Sequence, residues 1–355
     1  VVGDLETNED YMPFMHKMQQ GADHTITGYA QVSVCGGNTA NSEFEFLTGN
    51  TMSFLPSGSI PYQQYITKDT PSLASYLASL GYETYAQHPY YASGWNREKV
   101  YPLLGFEHLN FIDDYANKTY VRKYVSDDAD MQHIIDTYEN KEDGKPAFIF
   151  NVTMQNHGGY TDAFSDLSED VHATNYNSEV LDRYLSLIRL TDQSLEKLVD
   201  YFSNVDEKTV IVFFGDHQPS LNSNFYPLLN GKGLSGLTED ELEKLYTVPF
   251  FIWTNYDTPE ETVDITSLNY LSTLTLERAG ISLPEYNKFL ADMMEVVPAI
   301  NSRGYYSKTQ GCYLHLDEAT GEEAEWINRY NILQYNSMFD KKGRSNVFFP
   351  YNISK

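Results

Sequence analysis

Val210-Ile211-Val212-Phe213-Phe214 is an unbroken apolar run of β-branched and aromatic residues, and it ends on Gly215-Asp216-His217-Gln218-Pro219. Such a run, closed by a glycine and a proline, reads as a strand over Thr209–Gly215 that is buried on both faces. A buried strand that ends by presenting a carboxylate beside an imidazole points to an α/β protein. In those folds ligands gather just past the C-terminal ends of the strands.

The neighbouring sequence agrees. A long amphipathic helix is expected from about Glu179 to Phe202, a second buried strand over Val248–Trp253, and a helix over roughly Ser267–Ala279 that Gly280 ends. Upstream, Pro146–Thr153 is a short β-rich run, and Tyr82–Gln87 reads as a strand that delivers His88 to its end. Apolar residues at 73, 76, 77 and 80 predict a helix over Thr70–Gly81, with Thr70 as its cap and Pro71 at its first position. Strands alternating with helices imply a mainly parallel sheet covered by helices on both faces. After about Pro298 the chain turns Tyr- and Asn-rich, with a helix signal only near Glu322–Tyr330. The expected organisation is an α/β catalytic domain over 1–297 and a small C-terminal α+β subdomain over 298–355.

Composition narrows the function classes. The 355 residues carry 24 Lys+Arg against 50 Asp+Glu, a net charge of −26. That balance lacks the basic footprint a nucleic-acid partner requires, and it opposes adhesion to anionic lipid. No apolar run approaches the roughly 20 residues that span a bilayer, so a soluble protein or a soluble piece of one is expected. Cys35 and Cys312 are too few for a disulfide framework, and free buried thiols are expected.

Four polar clusters stand at expected strand ends. Asp216-His217 offers an oxygen and a nitrogen at one spot, a pair that suits a divalent cation, although a turn with a capping Asp would look the same. In Cys35-Gly36-Gly37-Asn38-Thr39-Ala40-Asn41-Ser42-Glu43-Phe44 a Gly-Gly turn leads into a helix opened by Thr39. A hydroxyl there faces the positive helix end, where phosphate binds, although capping is the commoner role of such a Thr. His88-Pro89-Tyr90-Tyr91-Ala92-Ser93-Gly94-Trp95-Asn96-Arg97 supplies a proton donor, an aromatic wall and a guanidinium able to grip phosphate oxygens at two points. Met154-Gln155-Asn156-His157-Gly158-Gly159-Tyr160 places a His in a glycine-rich loop after a buried strand. Each His alone is as well explained as an ordinary loop residue; four clusters at successive strand ends are not.

Taken in order, these segments resemble the lipoteichoic acid synthase / phosphoglycerol transferase family of the alkaline phosphatase–sulfatase superfamily. The resemblance is carried by Gly37–Phe44, Trp95-Asn96-Arg97, Asn156-His157, Gly215–Pro219 and Asn269–Gly280. It implies Thr39 as nucleophile and metal ligand, with Asp216 and His217 as further ligands of Mn²⁺, or of Mg²⁺ or Zn²⁺. It implies that Trp95, Asn96, Arg97, His88 and His157 bind a phosphoglycerol group and that His157 and Arg97 assist the chemistry. The implied reaction passes phosphoglycerol from a phosphatidylglycerol-type lipid, through phospho-threonine, to a glycerophosphate polymer or glycolipid acceptor. The implied location is the extracellular face of a bacterial membrane, with an N-terminal transmembrane region outside this sequence. Two departures stand out. Tyr90 occupies a position that is acidic in some synthases. The family's remaining metal ligand, a Glu on the first core strand, falls upstream of the segment matching Gly3–Pro13, and Glu6 and Glu9 lie on the wrong side of that position. A hydrolase of the same superfamily, or a decayed glycerophosphate-binding module, is the alternative reading.

Overall fold

A computed structural model describes residues 5–221, 225, 231–340 and 342–350. Two sheets form the body. The first has the order β5-β6-β1-β7, built from β1 (Thr25–Gln31), β5 (Val210–Phe214), β6 (Thr247–Thr254) and β7 (Glu261–Ser267). The second has the order β3-β2-β4, built from β2 (Glu83–Gln87), β3 (His108–Asn110) and β4 (Ala147–Asn151). All pairs in the second sheet are parallel, as is β1 with β7. The expected strand at Val248–Trp253 is present as β6, but it runs antiparallel to both β1 and β5. Hydropathy alone is blind to strand direction. The strand β1 carries no strong run, and its Gly28 is required by packing: a Cβ there would lie 2.3 Å from the Val263 carbonyl oxygen.

Helices cover both faces. The amphipathic segment forms Glu179–Ser203, capped by Ser178, and its apolar face packs Leu195, Leu198, Val199 and Phe202 against Phe251 and Trp253. Helices Thr39–Thr48 and Leu268–Arg278 cover the other face through Phe44, Leu47, Leu268 and Leu271, around Phe250 and Ile252. The helix expected over Thr70–Gly81 is shorter and its cap is a different residue. It spans Leu73–Ser79, and Ser72 and Ser75 form a reciprocal capping box. Thr70 instead donates its hydroxyl to the Lys68 carbonyl. Asp127–Glu139 is a further helix, signalled only by Ser126 as cap and acids in its first turn. Beyond Pro298, a three-stranded sheet (Ile300–Asn301, Gly304–Ser307, Cys312–Leu314) packs with helix Gly321–Met338. Its apolar cluster shares Tyr270 and Tyr286 with preceding helices, and Tyr330 donates to the Gly49 carbonyl at 2.7 Å. Cys35 and Cys312 are free and half-buried.

The two sheets face each other edge to edge. Neither β4 nor β5 has a second partner among the described residues. Between them lies a cavity of about 1460 Å³ lined by both strands, with Leu195 and Phe202 on one side and Phe46 and Leu276 on the other. Backbone amides and carbonyls along such edges need partners if they are shielded from water.

Beside β4 lies a buried carboxyl, Asp130. Asp130 accepts hydrogen bonds from Tyr115 at 2.6 Å and Asn151 at 2.9 Å. Burial nonetheless raises its pKa from 3.8 to about 7. The folded state therefore holds this proton more tightly than the unfolded chain. That contribution to stability is complete below the unfolded pKa and lost as the pH rises through about 7. Urea unfolding at pH 5 and pH 8 should show lower stability at pH 8, and Asp130→Asn should flatten the dependence by up to about 1.4 kcal/mol per pH unit. An unchanged slope would assign the pH response to other carboxyls.

Candidate active site

Thr39, Asp216 and His217 come together across 177 residues of chain between the first two. The Thr39 hydroxyl donates to Asp216 Oδ2 at 2.7 Å, and His217 Nε2 lies 3.2 Å from the same oxygen. The loop before Thr39 makes this approach: Gly36, Gly37 and Asn38 have φ of 76°, 154° and 66°, a path favouring glycine and tolerated by asparagine. The Gly36 amide donates to the Gln218 carbonyl at 2.8 Å, tying this loop to the one after β5. Ser42 Oγ adds a bond to the Asp216 carbonyl at 2.5 Å. Thr39 is the first residue of its helix and Asn38 the cap, so capping does not occupy its hydroxyl.

The donor set fits a cation in part. His217 Nδ1 lies 2.8 Å from the Gln218 carbonyl, an acceptor only, so Nδ1 carries a proton and donates to it. That turns Nε2 towards a carboxylate oxygen, an arrangement that calls for a proton or a metal ion between them. Among the described residues no group of three or more His, Cys, Asp or Glu is placed to hold an ion.

The other expected residues fall differently. Arg97, Trp95, His88 and His157 line the same cavity as Thr39, Asp216 and His217. Asn96 does not line it. Its φ of 59°, after 55° at Trp95, makes the turn into helix Arg97–Leu103. His88 is buried and lies 2.7 Å from the Val152 carbonyl through Nδ1. Burial, then the Arg97 charge, lowers its pKa to about 3, so it is a neutral imidazole and not a ready proton source. His157 is more open, with Nδ1 3.1 Å from the Tyr124 hydroxyl, and burial also lowers its pKa.

Arg97 is buried, at 3% exposure, and is held by Glu43. Its Nε donates to Glu43 Oε1 at 3.1 Å and its Nη2 to the same oxygen, while Tyr101 donates to Glu43 Oε2 at 2.8 Å. Burial by itself would lower the Arg97 pKa, and the Glu43 carboxylate more than offsets it. The sequence reading missed Glu43 as a partner, because 54 residues separate the pair. It also missed Arg122, which holds the His157 loop by donating to the Gln155 and His157 carbonyls at 2.7 and 2.8 Å. No local signal marks either.

Comparison with known proteins follows this geometry. The sulfatase family pattern matches residues 2–281. A putative cyclic beta-1,2-glucan modification protein of Rhizobium meliloti (strain 1021) is 31% identical over 88% of this chain and 50% of its own length. Lipoteichoic acid synthase 1 of Bacillus subtilis (strain 168) is 25% identical over 59% of the chain and 33% of its own. The chain thus spans half or less of these curated relatives. Among solved structures, the Streptococcus pyogenes phosphoglycerol transferase GacH, in complex with sn-glycerol-1-phosphate, shares the fold at a TM-score of 0.79. That likeness has 21% identity and covers 99% of this chain and 86% of GacH. No helix among the described residues is long and apolar enough to cross a membrane. The strand-end clusters, the two sheets and the matched pattern agree: this chain belongs to the sulfatase family and has the α/β fold of the alkaline phosphatase superfamily.

Proposed function

We propose that this chain is the catalytic part of a phosphoglycerol transferase that moves phosphoglycerol from a phosphatidylglycerol-type lipid to a hydroxyl acceptor at the outer face of a bacterial membrane. The observation that carries this reading is the meeting of Thr39 Oγ1 and His217 Nε2 on Asp216 Oδ2, in one cavity with Arg97 and Trp95. The acceptor is a glycerophosphate polymer, a glycolipid or a glycan. The glycan option is supported by the Rhizobium relative, whose name refers to glucan modification.

Thr39, Asp216 and His217 would hold Mn²⁺, or Mg²⁺ or Zn²⁺, which when bound lowers the pKa of a coordinated hydroxyl and offsets charge on phosphate. Thr39 Oγ1 then attacks phosphorus as its proton leaves towards Asp216. The bond from phosphorus to the diacylglycerol oxygen breaks, and glycerophospho-threonine forms. Arg97 faces the equatorial oxygens, and Trp95 packs against the glycerol group. The diacylglycerol oxygen leaves with a proton from solvent. The acceptor hydroxyl then attacks phosphorus as His157, whose lowered pKa suits it as a base, takes its proton; the bond from phosphorus to Thr39 Oγ1 breaks, Thr39 recovers its proton from Asp216, and His157 releases its own to solvent. If water replaces the acceptor, the same steps give a hydrolase. Product analysis of a reaction fed phosphatidylglycerol vesicles and a glycan distinguishes the two: free glycerol phosphate without modified glycan would favour hydrolysis.

The cavity between β4 and β5 supports one further strand in this reading, carrying the Glu that the resemblance places upstream. The 355-residue chain should then bind Mn²⁺ weakly and substoichiometrically, because one anionic ligand is lacking. The chain extended by its native upstream residues should bind one ion, and its β4 and β5 amides should exchange more slowly. Metal analysis after dialysis and hydrogen exchange measure both. Tight stoichiometric metal in the 355-residue chain would show that the ligand set is complete without that strand.

A further inference from the structure

The guanidinium of Arg97 has its Nε and Nη2 on Glu43, while Nη1 lies beside Gly94, and Arg97 and Gly94 both line the cavity. Nη1 makes no hydrogen bond among the described residues. Nη1 of Arg97 therefore still has donors to offer, while the guanidinium charge is already balanced by a carboxylate that is 3% exposed. The other groups around the pair add no charge. The phenols of Tyr62 and Tyr101 are pushed well above their ordinary range by burial and then by Glu43, and His88 is neutral. His157, Asp216 and His217 line the same cavity, with Lys123 and Arg122 near His157.

We infer that Glu43 sets substrate class: by balancing Arg97 it makes the site prefer singly charged phosphodiesters over doubly charged phosphomonoesters. This rests on the reading of the site as a phosphate-transfer site. Arg97 next to an apolar or amide side chain would present a whole uncompensated charge in a poorly solvated pocket, where each added substrate charge is felt strongly. Beside Glu43 it presents directed N–H donors with little net field. A diester such as a lipid headgroup carries one charge, while a monoester gains a second near pH 6. The same balance would keep free glycerol phosphate from blocking the site against its lipid substrate.

The test is equilibrium binding of glycerophosphoglycerol, a diester, and glycerol 1-phosphate, a monoester, at pH 5 and pH 8, in EDTA and again with Mn²⁺ added. In the parent chain glycerol 1-phosphate should bind about tenfold more weakly, relative to the diester, at pH 8 than at pH 5. Glu43→Gln should remove or reverse that loss. Tyr101→Phe, which deletes a hydrogen bond to Glu43 but leaves its charge, should keep the parent's behaviour, whereas a merely structural role for the cluster would disturb both variants alike. If Glu43→Gln fails to fold, the parent's own pH dependence still decides. A ratio of the two affinities that does not change with pH in the parent overturns the inference, as does a pH-dependent ratio that Glu43→Gln leaves in place. Binding of neither ligand to any form would instead remove the phosphate-site reading beneath it.

Discussion

Thr39→Ala is expected to abolish the covalent adduct and to lower diacylglycerol release from phosphatidylglycerol by about 10⁴-fold or more, the order seen when an enzyme loses its nucleophile. The change deletes a hydroxyl bonded to Asp216 at 2.7 Å on a half-buried helix start, so the fold should survive. Mass spectrometry of the parent chain trapped with lipid should show glycerol phosphate on Thr39, and the variant should show none. An adduct on another residue, or a variant that turns over at even a hundredth of the parent rate, would move the nucleophile elsewhere.

Arg97→Lys should cut lipid turnover by roughly 100-fold, as expected for the loss of one preorganised donor facing developing charge. Lys keeps a cation beside Glu43 but lacks the planar fork that bonds Glu43 with one edge and, in the proposed reaction, would bond phosphate with another. The burial of this pair adds a second effect. Removing the cation altogether, as in Arg97→Met, should destabilise the fold by about 3–5 kcal/mol, because Glu43 would be left buried and unpaired. Turnover therefore has to be compared between parent and Arg97→Lys at matched fractions of folded protein. Trp95→Ala should raise KM more than it lowers kcat. If Arg97→Lys turns over like the parent, Arg97 is a structural partner of Glu43 and the phosphate-facing role belongs to another residue.

Much of this was legible along the chain wherever the signal is local. The run Val210–Phe214 is a strand and the segment from Glu179 is a helix, because β-branched apolar runs and a 3.6-residue period leave their mark over a few turns. The strand is not buried on both faces as expected, since it stands at an open sheet edge with each of its residues half-buried. The clusters after strands were also local, since a loop that carries polar groups must interrupt an apolar run. Misreadings arose where the signal was weak or shared. Thr70 and Ser72 are equally good caps by type, and only the reciprocal bond with Ser75 selects Ser72. Asn96, between Trp95 and Arg97, has a left-handed backbone that makes the turn into the next helix, a geometry its residue type only permits.

By itself, then, the chain's order of residues determined the α/β class, the strand ends that carry the polar clusters, and the residue types available there: a hydroxyl, a carboxylate, imidazoles and a guanidinium. It did so because patterning and turn chemistry act over a few residues. Only the tertiary structure decided which of these groups meet. Thr39 reaches Asp216 across 177 residues and Arg97 reaches Glu43 across 54, contacts that leave no periodic trace in either segment. The direction of β6 and the open edges of β4 and β5 were decided at the same level. Strand pairing is made by backbone groups that every residue carries, so no side-chain pattern announces which edge finds which partner.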